Sequence, residues 1–243
     1  MVQQHQDEPS TKPPPAEAAR PQLPQKPFAP GTANFQKDLA AYYPFNGNAN
    51  DESGNEHQGA VHGTALSLDR HGNSEQAVQF DGQNDYISIA YHEDLNFAYS
   101  DSLTFSLWIK PSRLQSQNGI LSKYHRSRGY ILRLRHEKGL LQWGGEGVGP
   151  AGSDVYGLGS LQLEKWYQIV VVNSNKRSDL YVNAVLVARG PTKWPKKQNV
   201  LTFGCDYLPD IDSPERFFKG SLDDIHIYNR AFTATEVKQL YDF

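Results

Sequence analysis

Cysteine is nearly missing from this sequence: Cys205 is the only one in 243 residues. No internal disulfide can form, so thiol usage does not report a redox compartment, and Cys205 reads as a small buried hydrophobe. Long apolar runs are missing as well. Nothing approaches the roughly 20 residues that a membrane-spanning helix needs. Charge of one sign is not in surplus, with 24 Lys and Arg against 27 Asp and Glu, which excludes a broad attraction to nucleic acid or anionic membrane. Met1 to Lys12 is polar and leads into no apolar stretch, so no secretory signal is readable. Familiar catalytic signatures are missing too. There is no Gly-x-Ser-x-Gly elbow, no closely spaced zinc-type histidine pair and no phosphate-cradling glycine loop ahead of a helix.

What is present is aromatic and turn-forming. Thirteen Tyr and eleven Phe suit half-buried pleated surfaces better than helix interiors. Residues 1–33 differ from the rest, since eight of the 15 prolines fall within the first 30 positions. Proline fixes φ and removes donors, so this stretch is expected to be an extended, unpacked linker or stalk. A ligand for a proline-recognition domain is the functional alternative.

From residue 34 onward, short alternating runs are separated by Gly, Asn, Asp and Ser. In Thr104–Ile109 the residues Phe105, Leu107 and Ile109 share one face; in Tyr130–Arg135, Tyr130, Leu132 and Leu134 oppose Ile131, Arg133 and Arg135. Similar runs cover 85–89, 140–143, 166–173, 180–182, 185–188, 200–203 and 221–228. Period-two runs with turn signals between them predict an all-β, two-sheet antiparallel sandwich. One short helix is readable at the C-terminus. Thr233 and Glu236 form a capping box, Phe232 and Val237 a hydrophobic staple, and Val237, Leu240 and Tyr241 are expected to dock on the sandwich.

Seven motifs in order then suggest a family. They are Tyr42-Tyr43-Pro44-Phe45-Asn46-Gly47, Asn50 to Asn55, Ala77 to Gly82, Asp85-Tyr86-Ile87, Thr104 to Pro111, Trp166 to Val170 with Leu180 to Asn183, and Phe218 to Phe232. Together they resemble the laminin-G-like jelly-roll domains of the concanavalin A-like lectin/glucanase superfamily, related to the pentraxins. The resemblance covers about residues 38–243 and implies a jelly roll. Two departures stand out. Related domains carry Asn-Gly at a late hairpin where this chain has Asn183-Ala184, which predicts a strained or different turn. Their Trp-His-His segment reads Trp166-Tyr167-Gln168 here, which puts in doubt any histidine role on that strand.

The loop from Asn46 to Asn55 is rich in oxygen donors of the kind calcium takes, although the same residues are common turn formers. The resemblance implies a structural calcium ion between this loop and the last strand. By position its ligands would be Asp51 and Asn55 with Asp223 and Asp224. Asp223 is read in phase with the core-facing Ile225 and Ile227, where a carboxylate needs a metal or backbone donors. Asp206, Asp210 and Asp212 are read as a solvated acidic loop, with a second ligand site as the alternative.

Carbohydrate binding needs an aromatic platform and planar polar groups. Trp143, at a strand end before a glycine-rich loop, is the candidate platform, with Arg133, Arg135, Tyr124, His125 and Tyr156 lining a groove; the alternative places Trp143 in the core. Trp108 and Trp166 are expected in the core, and Trp194 in a loop as a contact residue or a packed anchor. Glucanases of this fold use paired carboxylates on one strand, and no Glu-x-Asp-x-Glu spacing exists here; Glu137 and Glu146 are isolated. The expected function is a non-catalytic, secreted or cell-surface recognition module whose partner is a glycan or glycoprotein. A protein–protein adhesion module of the same fold is the alternative.

Overall fold

A computed structural model describes residues 34–114, 118–124, 128–135, 137–145, 154–157, 161–208 and 213–243. The proline-rich stretch 1–33 lies outside the described residues, as do His125, Glu146, Asp210 and Asp212. In chain order the strands are β1 (Leu39–Tyr43), β2 (Gly59–His62), β3 (Ala65–Ser67), β4 (Ala77–Asp81), β5 (Tyr86–Ile89), β6 (Leu103–Pro111), β7 (Asn118–Ser122), β8 (Ile131–Arg135) and β9 (Leu140–Gly144). They continue as β10 (Val155–Gly157), β11 (Tyr167–Ser174), β12 (Arg177–Val182), β13 (Val185–Pro191), β14 (Leu201–Phe203), β15 (Asp206–Leu208), β16 (Ser213–Glu215) and β17 (Lys219–Tyr228). A 3-10 turn spans Glu93–Leu95, and helix α1 spans Ala234–Tyr241.

The strands form two large antiparallel sheets. The eight-stranded one runs β13-β12-β11-β6-β17-β4-β3, with β1 also paired to β17; the seven-stranded one runs β10-β9-β8-β7-β14-β5-β2. A separate hairpin pairs β15 with β16. The inner faces meet where alternation predicts. Phe105, Leu107 and Ile109 on β6 and Leu132 and Leu134 on β8 are all fully buried in one core cluster. Trp143 and Trp194 belong to the same cluster. Each such side chain contributes about 1.5–3 kcal/mol of burial.

Helix α1 closes the outer face of the eight-stranded sheet. Its capping box is formed: the Thr233 hydroxyl accepts from the Glu236 amide and the Glu236 carboxylate accepts from the Thr233 amide. Phe232, Val237 and Leu240 pack with Val170, Val172, Tyr181 and Tyr228 in a second, smaller cluster. Tyr241 stacks on Trp108 with ring centroids 5.7 Å apart.

Three expectations about tryptophan are corrected here. Trp108 and Trp166 are only half-buried, because Trp108 alternates with the inward Leu107 and Ile109, and Trp166 lies one residue before β11 begins. Trp143 is fully buried: it is in phase with the inward Leu141, and its indole N–H donates to Ser178 Oγ at 3.0 Å. Trp194 is a packed anchor, buried completely and donating to the Phe97 carbonyl at 3.2 Å.

β17 carries a bulge. Its register against β6 shifts between Asp223 and His226, and Asp224 has φ 45°. The extra residue reverses the inward parity along the strand. Leu222 points into the core before it, and Ile225 and Ile227 do so after it. Asp223 therefore does not share a face with Ile225. It pairs with the outward-facing Trp108.

Candidate functional site

The bulge brings two carboxylates onto the outer face of the eight-stranded sheet. Arg70 Nη1 donates to Asp223 Oδ2 at 3.0 Å and to Asp224 Oδ2, and its guanidinium lies over Trp108 at 4.9 Å. Tyr42 Oη donates to Asp224 Oδ1 at 2.8 Å. Burial, followed by the adjacent Asp224 carboxylate, pushes the Asp223 carboxyl up to about 8. Beside them Ser106, Trp108, Gln168, His226, Leu240 and Phe243 close a pocket of about 20 Å³. That is room for a water molecule and not for a sugar ring.

Asp51 and Asn55 form a separate cluster. Asp51 accepts from the backbone amides of Tyr42, Ser53 and His57 at 2.9–3.0 Å and from the Ser53 hydroxyl at 3.0 Å. The Asn55 side-chain amide donates to the carbonyls of Leu39 and Ala40 at 3.0 and 2.9 Å. Both residues thus tie the loop after β1 to β1 itself. The four residues expected to share calcium do not fit one shell. Asp51 already accepts from four donors, and a guanidinium holds Asp223 and Asp224 where a cation would have to sit.

The second polar surface is the outer face of the seven-stranded sheet. Antiparallel register sets Arg133 opposite Gln142, and Gln142 opposite Tyr156. Arg133, Arg135 and Tyr156 therefore lie on one face, as alternation predicts, while Trp143 lies on the other. Arg135 Nη1 donates to Gln142 Oε1 at 2.9 Å, and Gln142 Nε2 donates to Asp154 Oδ2 at 2.8 Å. Asp154 is held in turn by the Gly145 amide at 3.1 Å. This is a continuous chain of hydrogen-bonded groups in which Gln142 is fully buried and the half-buried Arg135 and Asp154 flank it. Tyr156 stands beside it with 46% of its surface exposed.

Arg133 lies deeper than expected. It is fully buried, 2.7 Å from Asp206 Oδ2, and its guanidinium lies over the Tyr124 ring at 5.8 Å. Tyr124 is itself only 9% exposed. Asp206 is not a solvated loop residue: it is fully buried between Arg133 and Arg216, which approaches it at 3.3 Å. A Cβ at Gly119 would come within 2.3 Å of Asp206 Oδ1, so a glycine there lets the carboxylate lie flat on the sheet. Arg133, Asp206 and Tyr124 are buried on this side of the sheet, whereas Tyr156 and the half-buried Arg135 reach its surface. Gln142 and Asp154, which the sequence reading did not single out, complete it; the alternation of Leu141 and Trp143 inward around Gln142 was the available signal.

A family model described as the concanavalin A-like lectin/glucanases superfamily matches residues 81–238. No curated protein matches. Among solved structures, the binding domain of Paraclostridial Mosquitocidal Protein 1 superposes with a TM-score of 0.68 at 19% identity, over 86% of this chain and 52% of that one. Domain 4 of an extracellular arabinanase from Geobacillus stearothermophilus, in complex with arabinotriose, gives 0.64 at 19% identity over 84% and 98%. The botulinum neurotoxin serotype D binding domain gives 0.66 at 17% over 86% and 52%. The chain spans about half the length of the two toxin domains and nearly all of the arabinanase domain. At these identities the likeness shows the fold.

Proposed function

Because the chain belongs to the concanavalin A-like lectin/glucanases superfamily, we propose that it is a non-catalytic recognition module that binds a glycan on the outer face of its seven-stranded sheet. The observation that carries this reading is the half-buried pair Arg135 and Asp154, both held by the buried Gln142, with the exposed Tyr156 beside them. A sugar needs a flat apolar surface for its ring and rigid planar donors and acceptors for its hydroxyls. This face offers both, while α1 covers the opposite sheet. The fold shared with an arabinanase domain crystallised with arabinotriose supports the same ligand class. That enzyme is extracellular, and a secreted or surface location is part of the proposal.

Catalysis is the weaker reading because the acids on the two outer faces are already engaged. Asp223 and Asp224 are held by Arg70, Asp206 by two arginines, and Asp154 by Gln142 and a backbone amide. A protein-adhesion role has one observation in its favour: β13 ends the eight-stranded sheet and exposes Val185 and Leu186 by 64% and 42%, an open edge of the kind that takes an added strand.

The test is calorimetric titration with arabinotriose and a panel of soluble oligosaccharides. Tyr156→Ala and Arg135→Ala are each expected to weaken the best ligand by about tenfold, near 1.4 kcal/mol, without lowering the melting temperature. Absence of any oligosaccharide binding, or unchanged affinity in both variants, would overturn the reading.

A further inference from the structure

Between the β1–β2 and β5–β6 loops, two histidines and an aspartate converge. His57 is 2% exposed and fixed by its backbone: the amide donates to Asp51 Oδ2 at 3.0 Å and the carbonyl accepts from Tyr43 Oη at 2.7 Å. Its Nε2 lies 2.7 Å from Asp94 Oδ2. Its Nδ1 is buried and has no hydrogen-bond partner among the described residues. The His92 ring, at the N-cap of the 3-10 turn, lies 4.2 Å from the His57 ring at an angle of 57°. One ligand atom from each of His57, His92 and Asp94 falls within 4.8 Å of the others, and no other trio of His, Cys, Asp or Glu among the described residues does so.

We infer that His57, His92 and Asp94 form a binding site for a divalent transition-metal ion, with zinc the best match. Two imidazoles and one carboxylate make a borderline-soft donor set that suits zinc, and calcium prefers six to eight oxygens. Zinc bonds of about 2.0–2.1 Å set neighbouring ligand atoms about 3.3 Å apart on a tetrahedron. His57 Nε2 and Asp94 Oδ2, 2.7 Å apart, therefore have to open slightly around an ion while His92 turns in. The parts that move are the half-buried His92 and the Asp94 side chain, which is 46% exposed, while His57 stays fixed. The exposed side gives the ion a way in and leaves a fourth position for water. Nε2, the nitrogen of His57 that faces Asp94, is the one that can share an ion with that carboxylate. An ion here would pin the loop after β1 to the loop before β6, which Trp194 already anchors through Phe97.

The test uses the full chain stripped of metal, titrated with Zn2+ by calorimetry and with Co2+ by visible absorption. Thermal melts in Zn2+, Ca2+ and chelator accompany it. We expect one equivalent of Zn2+, a tetrahedral Co2+ spectrum, a melting temperature raised by Zn2+, and equal melting in Ca2+ and chelator. His92→Ala and Asp94→Ala are expected to weaken Zn2+ binding at least tenfold while folding normally, and His71→Ala to leave it unchanged. His57→Ala is less useful because that side chain is buried. No Zn2+ binding, or undiminished binding in both surface variants, would overturn the inference.

Discussion

The indole of Trp143 packs among Phe105, Tyr130 and Trp194 at centroid distances of 5.4–5.8 Å. Its place was legible from strand parity, because Leu141 and Trp143 point the same way, and the glycines that follow drew attention to an opening. The parity that sends Phe105, Leu107 and Ile109 inward likewise sends Trp108 outward. Side-chain size was the misleading cue in both cases, and the period of two was the reliable one. The histidine and aspartate trio was not readable at all, since His57 and His92 stand 35 positions apart and only the packing of two loops joins them. Asp223 carries a prediction at this scale. Burial and the Asp224 carboxylate raise its folded pKa to about 8, against about 3.9 unfolded. The folded state then holds the extra proton, so this group's stabilisation is full below pH 4 and declines as pH rises towards 8. Asp223→Asn, which cannot ionise, should be more stable relative to the wild type at pH 8 than at pH 5. Urea unfolding at the two pH values checks it; the opposite order would show that Arg70 outweighs burial.

Elements with clean alternation or a capping signature were the legible ones. β6, β8, β9 and α1 follow directly from residue pattern, and the Thr233 box closes as its spacing requires. Three-residue strands such as β3 and β10 offer too few positions for a period to show. The bulge at Asp224 hid for a different reason. One inserted residue exchanges the two faces of everything after it, and no local residue type in Leu222–Ile225 announces it. The β12–β13 turn is the case in which the sequence raised the right question. Asn183 and Ala184 adopt φ 49° and 62°, the paired left-handed conformation of a type I′ turn. The turn type is kept, and Ala184 bears the strain. Ala184→Gly should relieve roughly 1–2 kcal/mol of that strain and lose part of the gain to a freer unfolded chain, for a net stabilisation of about 0.5 kcal/mol. Denaturant melts of the pair measure this; a loss of stability would mean the alanine is not strained.

At the scale of the whole molecule, two antiparallel sheets leave two outer faces with different fates. One is covered by α1 and a salt-bridged cluster around Arg70, with a pocket too small for a sugar. The other is covered in part by the buried Arg133–Asp206 pair and presents the half-buried Arg135 and Asp154 with an exposed tyrosine beside them. Which face binds can be mapped directly. Backbone amide shifts should be followed by NMR while the labelled protein is titrated with its best oligosaccharide. We expect the perturbed amides to cluster in β8, β9 and β10, around Arg135, Gln142 and Tyr156, with the sugar recovered intact. Perturbations gathered instead around Trp108, His226 and α1, or an oligosaccharide returned cleaved, would contradict the assignment of a non-catalytic binding surface to the seven-stranded sheet.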